Sequence, residues 1–150
     1  MQPMRRGFTL IELVIALVIG SILTSIALAG FGNARGPFAV RGARNTFVSL
    51  HARTRAQAIE SGSTMRLIID PAGDSISITD GTNVIESVYL RGELNVDLRT
   101  STGSLLRLCM NARGYGDTTC SNFNTTVRVT FAHQADTTSV RMLTLGQLVY

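Results

Sequence analysis

From Phe8 to Phe31 the chain carries a single ionisable side chain, Glu12, inside an otherwise uncharged and mostly apolar run. A helix over 8–31 is about 36 Å long at 1.5 Å per residue. That is enough to cross a hydrocarbon core of about 30 Å. Arg5 and Arg6 stand just before the run, and the next basic residue is Arg35. Basic residues keep their end of an apolar helix on the cytoplasmic side. The arrangement therefore predicts a cytoplasmic N-terminus, with the remainder sent outward. The run exceeds the roughly 7–15 apolar residues of a secretory signal peptide, although residues 25–30, Ser-Ile-Ala-Leu-Ala-Gly, offer a small-x-small site. A plain membrane anchor leaves Glu12 unexplained, because a bare carboxylate in lipid costs on the order of 3 kcal/mol on insertion scales. Glu12 either snorkels to the interface near the helix end or has a partner.

The chain of 150 residues has room for one modest domain, or for an anchor and a smaller domain. Its 45% apolar content argues against disorder. All 14 basic residues are arginine, and the formal charge is +4, half of it from Arg5 and Arg6. What remains is too weak to argue for nucleic acid by itself. Cys109 and Cys120 close a short loop with no histidine nearby in sequence, which is not a zinc pattern. In an exported domain such a pair reads as one disulfide, and in the cytosol as two thiols.

Gly30, Gly32, Gly36 and Pro37 follow the apolar run and predict a bend or a melted stretch. Helical spacing resumes over 40–62, where Val40, Ala43, Phe47, Leu50, Thr54 and Ala58 form one face. Gly62 is placed to end that helix. Arg41, Arg44, His51 and Arg55 form a second stripe, read as a solvated helix edge in preference to a contact with phosphates or an acidic neighbour. Strands are expected at 65–70, 75–79, 84–90, 94–98, 105–110, 126–131 and 140–145, with a short one at 147–150. Tight turns between them imply antiparallel sheets, so the fold class is α+β, a long N-terminal helix packed on antiparallel β-sheets of a small C-terminal domain.

Acids and histidines are too scattered for a catalytic triad or a metal centre. Asp70, Asp74 and Asp80 lie near turns but lack the spacing of a calcium loop. His133 reads as an exposed residue at a strand end. The chain is expected to be no enzyme and to need no cofactor or metal.

The string Gly7-Phe8-Thr9-Leu10-Ile11-Glu12, behind a short basic leader and ahead of an apolar helix, resembles the class III leader of type IV pilins and type II secretion pseudopilins. The resemblance implies cleavage by a prepilin peptidase between Gly7 and Phe8, and methylation of the new Phe8 amine. It also implies an assembly role for Glu12, which would meet the Phe8 amine of a neighbouring subunit and set register between packed helices. Glu12 is one helical turn from Phe8, the i+4 spacing of a shared face. Residues 49–69, with Ala52-Arg53 and the Gly62 stop before a strand, are similar to the GspH/FimT-type minor pseudopilins, and 109–116 and 145–150 echo them more weakly.

The resemblance divides the chain into a leader (1–7), a transmembrane and filament-core helix (8–31), a hinge with an amphipathic second helical half (32–62), and a periplasmic β-rich domain (63–150). It implies a minor pilin or pseudopilin as the function. Its partners would be other pilins, the prepilin peptidase, an inner-membrane assembly platform and the lipid bilayer. The location would be the inner membrane before assembly and a pilus or pseudopilus afterwards. The alternative is a FimT-like DNA-binding pilin of natural transformation, with Arg107, Arg113, Arg128 and Arg141 as candidate DNA contacts. It is not favoured, because residues 146–149 read Gly-Gln-Leu-Val where the resemblance calls for Gly-Arg-x-Arg.

Overall fold

The computed structural model describes residues 9–150, with side chains described at 9–26 and 36–150. Gly7 and Phe8, and with them the expected cleavage and methylation, lie outside the described residues. The first element, α1, runs Leu10–Ser61, 52 residues. The backbone is helical across 30–37, so the melted stretch expected there is absent. Proline inside a helix removes one donor and clashes with the residue before it through that residue's Cβ. The residue before Pro37 is Gly36, which has no Cβ, and this part of the penalty disappears. Gly62 stops the helix as expected, at φ 62°, a left-handed conformation that glycine takes without steric cost.

By its contacts the chain forms two compact units, Met1–Arg35 and Gly36–Tyr150. In the second unit α1 is followed by β1 (Met65–Asp70), β2 (Ser75–Thr79), β3 (Val84–Tyr89), a one-turn helix α2 (Leu90–Leu94), and β4 (Asp97–Thr100). Then come β5 (Leu106–Met110), β6 (Val127–His133), β7 (Asp136–Met142) and β8 (Leu148–Val149). They build two four-stranded antiparallel sheets, ordered β3-β2-β1-β5 and β4-β6-β7-β8. One core joins the helix to both sheets, and the whole expected face of α1 from Val40 to Ala58 is buried in it. Phe47 sits at its centre, fully buried, with its ring centroid 5.8 Å from that of Phe131 on β6.

Two sequence readings shift. The stretch expected as the end of one strand and the start of another, 90 and 94, is α2. Leu90 is buried, Asn95 ends the turn at φ 55°, and Arg91 reaches Asp74 at 2.7 Å and Asp97 at 2.8 Å. The strand expected from 140 begins at Asp136 instead. Gln134 and Ala135 alone connect β6 to β7, with Gln134 at φ 53° and His133 paired to Asp136. Such a tight hairpin normally announces itself by Asn-Gly or Asp-Gly; here neither residue is a turn former, so the signal is missing.

Candidate functional site

In the first unit Thr9 and Glu12 cap the start of α1 reciprocally. The Glu12 N–H donates to Thr9 Oγ1 at 3.3 Å, while Glu12 Oε2 accepts from the Thr9 N–H at 3.4 Å. This is a capping box, which satisfies two of the donors that a helix start leaves free. Thr-Leu-Ile-Glu ahead of an apolar run carries that signature, and the sequence reading overlooked it. Further along, Ser21, Thr24 and Ser25 return their hydroxyls to the carbonyls of Val18, Gly20 and Ser21. The helix thereby hides its few polar groups.

The large apolar side chains from Leu10 to Ile26 are all exposed, Leu10 by 82% and Ile26 by 66%. Among the described residues no helix is long and apolar enough to cross a membrane. The part of the run with described side chains, 10–26, measures about 26 Å at 1.5 Å per residue.

In the second unit the cationic stripe of α1 is a seam on which the C-terminal segments dock. The Arg44 guanidinium lies 4.6 Å from the Tyr150 ring centroid and the Arg55 guanidinium 5.9 Å from that of Tyr115, both within cation–π range. Between them His51 Nε2 donates to the Gly146 carbonyl at 2.7 Å, across 95 residues of sequence. His51 is buried, 8% exposed, which corrects its reading as part of a solvated edge. The spacing along α1 was right, but the covering segment comes from the far end of the chain.

Burial holds the His51 imidazole below its ordinary pKa, with Arg55 adding to the effect and the Gly146 hydrogen bond opposing it. The unfolded chain takes up this proton as pH falls through about 6.5. The folded chain takes it up only at lower pH. Stability from this group is complete above pH 6.5 and declines as pH falls from there to the folded pKa. His51→Gln keeps a donor for Gly146 but cannot titrate. Its unfolding free energy is expected to lack that share of the slope, at most about 1.4 kcal/mol per pH unit. Urea titrations of both proteins across this range measure it.

Cys109 on β5 is bonded to Cys120, with Cα atoms 5.7 Å apart. The enclosed loop is ordered from within by Asn111, whose Oδ1 accepts the N–H groups of Arg113 and Tyr115. It is held from outside at Gly116, whose N–H donates to the Leu145 carbonyl at 2.9 Å. A Cβ there would lie 2.7 Å from the Leu145 carbonyl carbon, so only glycine allows this approach. The two weak C-terminal echoes in the sequence, 109–116 and 145–150, thus touch each other.

Of the four arginines considered for DNA, Arg128 and Arg141 are register partners on β6 and β7. Arg107 belongs to β5 in the other sheet, and Arg113 to the disulfide loop. His133 closes β6 as expected and is half-buried, with Nδ1 2.6 Å from the Asn95 carbonyl. The three turn acids have separate structural partners. Asp70 accepts from the Ala72 N–H, Asp74 binds Arg91 and the Leu98 N–H, and Asp80 accepts from Thr82 and Asn83. Among the described residues no group of three or more His, Cys, Asp or Glu is placed to hold a metal ion.

Residues 3–28 match the prokaryotic N-terminal methylation motif. No curated protein matches the sequence. Two crystal structures of the type IV minor pilin FimU from Pseudomonas aeruginosa strain PAO1 share the fold, with TM-scores of 0.54 and 0.53. They are 10% and 11% identical to this chain, and the superpositions cover 73% of it and 86% and 90% of theirs. The α+β architecture, a long N-terminal helix followed by antiparallel sheets, is the pilin fold. The chain thus combines the N-terminal methylation motif with a fold like that of this minor pilin.

Proposed function

We propose that this chain is a structural subunit, a minor pilin or pseudopilin of a type IV pilus or a type II secretion pseudopilus. The observation that carries the reading is the methylation motif at 3–28 leading into a helix whose described large apolar side chains, from Leu10 to Ile26, are all exposed. Such a surface needs lipid before assembly and neighbouring helices after it. A prepilin peptidase would hydrolyse the Gly7–Phe8 bond and methylate the Phe8 amine, acting on the chain as its substrate. The subunit would sit in the inner membrane with its N-terminus cytoplasmic and residues 63–150 periplasmic, then pack among other pilins. Intact mass of membrane-extracted protein tests this. The expected mass lacks residues 1–7 and carries one added methyl group; an uncut chain would overturn the reading.

The capping box makes the role of Glu12 separable. Gln also serves at this position of the box, so Glu12→Gln keeps the helix start and removes the charge. If Glu12 pairs with the Phe8 amine of a neighbour, Glu12→Gln and Glu12→Ala are both expected to be processed normally yet drop out of filaments. Breaking a buried pair by removing one partner costs about 3–5 kcal/mol. Immunoblots of sheared filaments against membranes measure the outcome. Equal incorporation of Glu12→Gln would reduce Glu12 to a helix cap. The DNA-binding alternative gains nothing from the comparisons, and 146–149 lacks its arginines.

A further inference from the structure

A sheet edge is an unfinished hydrogen-bond ladder, which a protein either blunts or leaves open to another strand. The edges here are β3 and β5 in one sheet, β4 and the β7–β8 side in the other. Two are closed. The outward backbone of β5 is taken up by the end of the disulfide loop and the two residues after it: Arg107 N–H donates to Asn122 Oδ1, and Cys109 N–H to Ser121 Oγ. The carbonyls of the same two residues accept from the Asn122 and Asp117 N–H groups. On β4 the Leu98 N–H donates to Asp74 Oδ1, and the Thr100 carbonyl accepts from Gly103.

The other two edges are open. β8 covers β7 only at Arg141 and Met142. On that side Leu143 N–H donates to the Gln147 carbonyl. Antiparallel strands turn alternate residues outward, so Ser139 and Thr137 direct their N–H and C=O groups the same way. Neither has a backbone partner there among the described residues. On β3 the Leu90 N–H bonds inward to Asp74, so the same alternation turns Ser87 and Tyr89 outward. β3 also exposes Val84, Ile85 and Tyr89, by 66%, 46% and 60%.

The two open edges are complementary. The groove beside β7 is lined by Arg44, Arg128, Thr137, Ser139 and Tyr150, with Arg41 and one acid, Asp136, at its far end, so it is basic on balance. None of the ion pairs among the described residues uses Arg41, Arg44 or Arg128. Residues 80–90 carry Asp80 and Glu86 and no basic residue, Glu86 being shared with Arg53. We propose that β3 of one copy of this chain adds as a strand to the open edge of β7 on a second copy. The contact joins two different surfaces, so it repeats head to tail, as a closed ring or an open series according to its rotation. It rests on residues of the second unit alone and goes beyond the pilin reading, which rests on the leader.

Full-length Thr137→Cys and Ser87→Cys variants, extracted in mild detergent, test the proposal by oxidative crosslinking. A disulfide-linked dimer is expected when the two are mixed and not with either alone. It should be lost when Ser139→Pro, which removes an outward N–H that an edge strand can spare, is added to Thr137→Cys. Retention of the Cys109–Cys120 disulfide reports folding of each variant. Equal crosslinking of Ser87→Cys to a Thr102→Cys control would overturn the proposal as collision, and dimers of Thr137→Cys alone would replace it by a symmetric contact. No dimer in the mixture would remove a second copy as the occupant, leaving the acidic strand of another protein. Intact mass of the same material reads leader cleavage, so a cleaved, methylated chain that fails to crosslink overturns strand addition and spares the pilin reading.

Discussion

Phe47→Ala is expected to destabilise the domain by about 3–5 kcal/mol. Phe47 is fully buried, packs on Phe131, and stands where α1 meets the core shared by both sheets. Truncation removes the transfer energy of the ring and leaves a cavity lined by strands that cannot close on it, because they are held in register by their ladders. A domain of this size has about 5–15 kcal/mol in total, so the loss is a large share of its stability. Denaturant unfolding of the variant should show a lower midpoint. Phe47→Leu, which refills most of the volume, is expected to recover much of it. A Phe47→Ala loss below about 1 kcal/mol would mean that helix and sheets are not held through this ring.

Replacing Cys109 and Cys120 together by serine is expected to cost about 2–4 kcal/mol, mainly by freeing the unfolded chain, which the crosslink constrains. The loop spans a sequence separation of 11, so the chain-entropy contribution is moderate. A folded-state contribution adds to it, because the crosslink anchors Asp117 and the adjoining Ser121 and Asn122, which close the β5 edge. Thermal unfolding of the wild type with and without reductant, beside the double variant, measures the effect. The reduced wild type and the variant should coincide. A change under about 0.5 kcal/mol would show that docking of Gly116 on Leu145 orders the loop without the crosslink.

The elements that could be read from the sequence are those whose signal is local. The buried face of α1 from Val40 to Ala58 follows from spacing, and the stop at Gly62 follows from backbone freedom. β1 and β2 match their expected spans, because both alternate cleanly between buried and half-buried residues and end in turn formers. The misses have physical causes too. α2 forms because Leu90 is drawn into the core and Arg91 bridges two aspartates, not because five residues favour a helix. The β6–β7 hairpin turns at Gln134 and Ala135, whose conformation the two flanking strands impose.

The N-terminal candidate site was legible because its parts lie within a few residues of one another. Leader charge, Gly7, Phe8, Glu12 and the apolar run are read in one pass. Even the overlooked capping box was local, since Thr9 and Glu12 are three residues apart. The sequence by itself therefore determined the helix and the strand-rich remainder, and it carries the methylation motif at 3–28. Only the tertiary structure decided what the cationic stripe on α1 does and which sheet edges stay open. Those outcomes depend on residues far apart in the chain, such as His51 and Gly146, brought together by burial of a shared core. No spacing rule acting along the sequence carries that information, because the core selects contacts by shape and polarity after the local elements have formed.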